Sequence, residues 1–216
     1  MNFDIRFRTP SSFFLAGASQ SGKSSFIYKL LLRGEQAFTE SFTQVIIVYG
    51  IRQEIFDELA NHLPLRLIPL SDFNATDLLQ EDLRGSCVIF DDAIMSLTNS
   101  PAFENLILNS VHHKHFSAIL LSQSIFGMGR FSRIISNNCQ YVFLWDSCRA
   151  RLSVQNLARQ MYPGEVNYFM AAFRHATSSN AFSPLLIDCS PHVPPALRLR
   201  SNFFGLHQIA YLRSNV

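Results

Sequence analysis

Residues Gly17 to Ser24 read GASQSGKS, a full match to the pattern G-x-x-x-x-G-K-[ST]. Glycines let the backbone turn tightly enough for several N–H groups to point at one phosphate. A helix opening directly behind them adds the positive end of its dipole. Lys23 is then placed to reach the β- and γ-phosphates, and the Ser24 hydroxyl to ligate Mg²⁺. Gly17, Ala18, Ser19, Gln20, Ser21, Gly22, Lys23, Ser24 and Ser25 are therefore the candidate nucleotide-binding residues. ATP and Mg²⁺ are the ligands they imply.

Two further features could act on a bound triphosphate. The run CVIF is followed by Asp91-Asp92. In open α/β sheets, ligands bind at the carboxyl ends of strands, where this pair would stand. Asp91 would hold Mg²⁺, and Asp92 would act as base or orienter for the attacking water. An apolar strand ending in Asp also serves as a plain turn or helix cap, so the pair carries weight only together with the phosphate loop. Gln123 follows a third apolar run in LLSQS. A side-chain amide there could bond both the γ-phosphate and the water, or be an ordinary loop residue. A hydrolysing ring also needs a cation at the γ-phosphate, often from a neighbouring subunit. Arg133 and Arg149 are the candidates, with surface or DNA contact as the competing role. Arg130 and Lys114 are the candidate DNA-facing residues.

The elements that must position these groups can be read from apolar patterning. Ser12 to Ala16 reads as a buried strand entering the phosphate loop, and Ser24 to Leu32 as the helix leaving it. Val45 to Val48, Leu67 to Leu70, Cys87 to Phe90, Phe116 to Leu121 and Tyr141 to Trp145 read as further strands, with Leu185 to Ile187 as the last. Helices are predicted over Gln53 to Leu63, from an Asn74 or Ser71 cap through Leu83, from a Ser100-Pro101 cap to about His112, over Arg149 to Met161 and over Gly164 to His175. Ser132 to Ser136 is a short helix candidate. Alternating Phe3, Ile5 and Phe7 predict an N-terminal strand over residues 2–8. Strands with little polar alternation, interleaved with helices, point to an α/β fold with a mostly parallel sheet. The order of phosphate loop, acidic strand and polar sensor strand is that of an additional-strand P-loop ATPase, in which the sensor strand lies between the other two.

Composition narrows the classes. With 216 residues, 48% of them hydrophobic and 16% charged, the chain reads as one folded domain over 1–216 with a C-terminal extension from about residue 190. No run approaches the ~18 apolar residues of a membrane span. The four cysteines form no CxxC pair and read as reduced thiols, and the opening MNFDIRFRTP has no signal-peptide core, so an intracellular protein is expected. Residues 1–104 hold 8 Lys/Arg against 13 Asp/Glu, and residues 105–216 hold 10 against 3. A basic second half fits a polyanionic partner or a plain solvated face. Of the 18 basic residues 15 are Arg, whose fork binds two phosphate oxygens at once. The HHKH run at 112–115 lacks Cys or carboxylate companions at zinc spacing and reads as a loop presenting Lys114.

GASQSGKS, CVIFDD and HHKHFSAILLSQSIFGMGRFSRIISNN, in this order, resemble the viral genome-packaging ATPases of the FtsK–HerA class. Within that class the chain resembles the poxvirus-type packaging ATPases and their compact versions in Polinton-like elements and adintoviruses. RLSVQNLARQMYP and RLRSNFF extend the resemblance over nearly the whole chain. The resemblance implies a RecA-like core and ATP-driven translocation of double-stranded DNA into a capsid. It implies a hexameric or pentameric ring, capsid proteins as partners, and a place in the host cytoplasm or nucleus or on the virion. It matches Lys23 and Ser24 to the phosphate and Mg²⁺ contacts, Asp91 to the metal carboxylate, Asp92 to the catalytic acid and Gln123 to the sensor. Many members of the wider class carry Glu where this chain has Asp92, one methylene shorter. The alternatives are a small P-loop nucleoside or nucleotide kinase and a non-enzymatic assembly scaffold.

Overall fold

The structure is a computed structural model that describes residues 3–97, 99–126, 137–178 and 182–213. The candidate residues Arg130 and Arg133, and the predicted helix at 132–136, lie outside the described residues.

Continuous apolar runs become strands buried on both faces, because helices cover both sides of a parallel sheet. The strands are β1 (Ser12–Ala16), β2 (Gln44–Tyr49), β3 (Leu65–Pro69), β4 (Ser86–Asp91), β5 (Ser117–Ser122), β6 (Tyr141–Leu144), β7 (Leu185–Asp188), β8 (Leu199–Ser201) and β9 (Ile209–Ala210). Among the described residues they form one nine-stranded sheet in the order β3-β2-β4-β5-β1-β6-β7-β8-β9. The first six strands in that order are mutually parallel, and β7, β8 and β9 add antiparallel. β5, the strand that leads to Gln123, thus lies between the loop strand β1 and the acidic strand β4.

Alternate side chains go to opposite faces and build two cores. Phe13, Leu15, Ile47, Ile89, Leu121 and Phe143 meet α1 (Lys23–Leu31) and α2 (Ile55–Ala60) through Phe26, Ile27, Leu30, Phe56 and Leu59. Phe14, Val48, Phe90, Leu120 and Leu144 meet the other layer. That layer holds α3 (Ala75–Leu78), α4 (Ile94–Leu97), α5 (Pro101–Asn105), α6 (Val111–His113), α7 (Arg151–Met161) and α8 (Val166–Ser178). Asn74 caps α3 by accepting from the Thr76 N–H at 2.9 Å, and the Ser100 hydroxyl accepts from the Phe103 N–H at 3.3 Å with Pro101 in the first turn. The helical run that Ser100 starts passes through a π turn, Leu106–Ser110, before α6, so HHKH falls on α6 and its end rather than in an open loop.

Two expectations are corrected. The strand expected over residues 2–8 is absent from its described part, residues 3–8. Of these only Phe7 is buried, joined to Phe38 by a single parallel bridge, while Asp4 takes both the backbone N–H and the guanidinium of Arg6. The polar positions close on each other instead of lining one face of a ladder, and the Phe7 ring packs against Phe13, Phe38, Tyr141 and Phe143. β7 is also not the last strand, because the C-terminal segment re-enters the sheet as β8 and β9. Arg200 on β8 hides this in the sequence: it is 2% exposed, donates to Asp188 on β7 at 2.8 Å and to the Ile5 carbonyl at 2.8 Å. The basic second half is likewise less bare than its count suggests, since Asp146, Asp188 and Glu165 each pair with an arginine.

Candidate nucleotide-binding site

β1 carries the chain to Ala16, and Gly17 to Gly22 form the loop. Gly22 closes it at φ 87°, ψ 14°, the left-handed region that a side chain disfavours. A Cβ there would also stand 2.9 Å from Cδ1 of Phe182. α1 begins at the next residue, so its unpaired N–H groups open toward the loop. Lys23 is buried, and its ammonium donates to the carbonyls of Gly17 at 2.7 Å and Ala18 at 2.8 Å. The charge therefore lies across the loop. Burial pulls the Lys23 ammonium below its ordinary pKa, and the carboxylates of Asp92 and Asp91 oppose that shift.

Asp91 ends β4 with 3% exposure. Three donors hold it: the Ser24 hydroxyl at 3.2 Å on Oδ1, and on Oδ2 the Tyr28 hydroxyl at 2.8 Å and the Gln53 amide at 2.9 Å. Burial raises the Asp91 carboxyl above its ordinary pKa, while the Tyr28 and Ser24 bonds work against that rise. Tyr28 lies one helical turn beyond Ser24 on the same face of α1, the i,i+4 relation. Its phenol is pushed up, first by burial and then by the adjacent carboxylate. Gln53 arrives from the loop after β2, whose Tyr49 is paired with Asp91 in register.

Asp92 is exposed at φ 52° and lines the cleft. Left-handed backbone costs a non-glycine residue roughly 1–2 kcal/mol, though Asp tolerates it better than most. The neighbouring strand accommodates this turn through Gly50, whose N–H donates to the Asp91 carbonyl at 3.0 Å. A Cβ on Gly50 would stand 2.9 Å from the Asp92 carbonyl oxygen.

The loop, Asp91 and Asp92 share one cleft of about 1090 Å³ with Gln53, Lys29, Phe182 and the turn from Asn202 to Gly205. A second cavity, about 470 Å³ and lined by Arg84, Gly85 and His115, sits where β4 and β5 begin, at the opposite end of the strands from the loop. The chemistry is concentrated in the first. The pair Ser24 and Asp91 fits a hard divalent cation: two oxygens 3.2 Å apart match adjacent vertices of an octahedron with ~2.1 Å bonds, about 3 Å apart. So few protein donors suit Mg²⁺, which is usually completed by water and substrate phosphates.

The remaining sequence candidates fall as follows. Gln123 is exposed, one residue beyond β5; β5 sets Ser122 beside Ala16 and accepts the Gly17 N–H on the Ser122 carbonyl at 3.1 Å. It stands next to the entrance of the loop and outside the cleft lining. Arg149 is exposed in the turn after β6, also outside the lining. Lys114 is the C-cap residue of α6 just before β5, at the end of the strands away from the loop. Its ammonium donates to the Leu79 carbonyl and, at 3.4 Å, to that of Glu81. Tyr28, Gln53, Phe182, Asn202 and Phe204 escaped the sequence reading. Only Tyr28, by its spacing from Ser24, carried a local signal.

No family model matches the chain, and no curated protein matches it by sequence. Solved structures do match. The DNA-packaging ATPase B204 of Sulfolobus turreted icosahedral virus superposes with a TM-score of 0.56 over 84% of this chain and 93% of its own, at 13% identity. The genome packaging NTPase B204 of Sulfolobus turreted icosahedral virus 2, solved in complex with ATPγS, gives 0.55 over 83% and 93%, at 11% identity. Its AMPPCP complex gives 0.55 at 12% identity. This chain has their fold. The expected RecA-like P-loop core, a mostly parallel sheet with the sensor strand inside it and helices on both faces, is the architecture found. At this identity the likeness is one of fold. Among the described residues no helix is long and apolar enough to cross a membrane.

Proposed function

We propose that this protein is an ATP-hydrolysing motor of the FtsK–HerA class that packages double-stranded viral DNA. The observation that carries the reading is the contact of Ser24 with Asp91, directly behind a loop across which Lys23 lies. Two sequence-distant segments, residues 17–24 and the end of β4, meet there with the groups that triphosphate hydrolysis uses. The likeness in fold to packaging NTPases solved with ATP analogues supports it.

In this reading the loop N–H groups and the end of α1 bind the β-phosphate. Lys23 exchanges the carbonyls of Gly17 and Ala18 for phosphate oxygens. Ser24 and Asp91 would hold Mg²⁺, which would supply charge neutralisation on the phosphate oxygens. Tyr28 and Gln53 keep Asp91 aimed. Asp92 orients water for attack and accepts its proton, and Gln123 senses the γ-phosphate from the neighbouring strand. A ring of copies, with Arg133 or Arg149 supplying the cation and Arg130 and Lys114 meeting the DNA backbone, turns hydrolysis into movement.

The test is phosphate release with and without duplex DNA, on protein separated by oligomer size. Hydrolysis that duplex DNA stimulates and Lys23→Ala abolishes is expected. Equal turnover with and without DNA refutes the motor, and ATP loss that requires a nucleoside acceptor points to a kinase.

A further inference from the structure

The cleft that holds the phosphate loop and the two carboxylates is also lined by aromatic rings that phosphate chemistry does not use. Phe26 and Lys29 of α1 are among its lining residues. So are Phe182, from the segment leading into β7 and against Gly22, and Phe204, in the turn between β8 and β9. The rise of α1 from Lys23 to Lys29 is about 9 Å, the scale on which a nucleoside extends from its phosphates.

Phe182 and Phe204 are both exposed, and each is tied to the fold by a contact. Phe204 is 39% exposed, and its ring meets Phe26 edge-on at 5.2 Å, while the Arg33 guanidinium lies 5.0 Å from its centroid. Arg33 also donates to the Phe203 carbonyl at 3.0 Å, which ties the turn to α1. Phe182 is 58% exposed although its carbonyl accepts the Trp145 indole N–H at 3.0 Å and its ring borders Gly22. Large apolar rings that line a cleft give stacking area for a flat base.

We infer that Phe182 and Phe204 form a purine-stacking subsite that receives the base of the nucleotide whose phosphates the loop binds. This rests on the nucleotide-binding reading above. It also gives the β8–β9 hairpin a role: the hairpin extends the sheet and brings Phe204 into the cleft lining. The local signal was absent because the two rings lie far from the loop in the chain.

The experiment is calorimetric titration of Mg-ATP and of Mg-tripolyphosphate into the intact protein and into Phe182→Ala, Phe204→Ala and Phe204→Trp. Tripolyphosphate carries the phosphate chemistry without a base. Wild-type protein is expected to prefer ATP. Each alanine variant should weaken ATP by about 5- to 150-fold, the range for removing one base-stacking ring. Tripolyphosphate affinity should hold within about twofold of wild type, and Phe204→Trp should keep ATP affinity. Alanine variants that bind ATP like wild type, or that lose both ligands equally while melting normally, overturn the subsite. Wild-type protein that binds both ligands equally well overturns the subsite alone. Binding of neither ligand overturns the nucleotide reading along with it.

Discussion

Replacing Tyr28 with Phe removes one oxygen and leaves the ring in the core. The hydroxyl lost is 2.8 Å from a carboxylate that is itself 3% exposed. A hydrogen bond to a charged group contributes about 1.5–3 kcal/mol, and the Gln53 amide remains on the same oxygen, so the lower half of that range is expected. For a chain of this size each kcal/mol moves Tm by roughly 2–4 °C, which predicts a fall of about 3–9 °C near neutral pH. The pH dependence is the sharper part. Burial raises the Asp91 carboxyl, so the folded state holds its proton more tightly than the unfolded one. Below the ordinary carboxylate range Asp91 is protonated in both states and contributes no difference. As pH rises through its raised folded value, the folded state carries the full cost of a buried charge, and stability from this group declines. Tyr28 limits that cost, because its bond favours the charged form. The Tm gap between wild type and Tyr28→Phe should therefore be small in acid and widen as Asp91 ionises. The acid limb of ATP hydrolysis should move to higher pH in the variant. Paired melting curves and pH–rate profiles measure both. A gap of constant size across the titration, or an unmoved acid limb, would refute the assignment of Tyr28 as the group that keeps Asp91 ionised.

Gly22→Ala places a side chain at φ 87° and within 2.9 Å of Phe182. It should cost at least about 1–2 kcal/mol in melting experiments and weaken Mg-tripolyphosphate, since the loop cannot keep its shape. Arg200→Ala strands Asp188 in the core and should cost about 3–5 kcal/mol, whereas Arg200→Met with Asp188→Leu should recover much of that; a double variant no better than the single one in chemical denaturation would contradict the account. Lys23→Ala should abolish ATP hydrolysis while leaving the fold intact by circular dichroism, because Lys23 serves the loop rather than either core.

Features legible in the sequence share one property: they are encoded by neighbours in the chain. Residues 17–24 announce the phosphate loop, because the glycines and the Lys-Ser pair act on one ligand within one turn. Val45 to Val48, Cys87 to Phe90 and Phe116 to Leu121 are legible as strands because burial on both faces demands unbroken apolar runs. Caps at Asn74 and Ser100 are legible because a side-chain oxygen satisfies N–H groups two or three residues ahead. The N-terminal alternation misled, because period-2 patterning specifies a strand only where a ladder is available, and Phe7 finds only a single bridge to Phe38. Arg200 misled in the opposite direction, because a lone arginine reads as surface until Asp188 is beside it.

The sequence alone determined the chemistry available to this protein: a loop that can hold phosphate, carboxylates at a strand end, and apolar segments enough for a sheet covered on both faces. Tertiary structure decided which groups meet. The sheet order brings the β2 loop beside β4, and so puts Gln53 on Asp91; the hairpin after β7 returns to α1, and so puts Phe204 in the same cleft as Phe182. Strand order and hairpin return are set by the packing of whole layers against one another. No window of neighbouring residues contains that free energy.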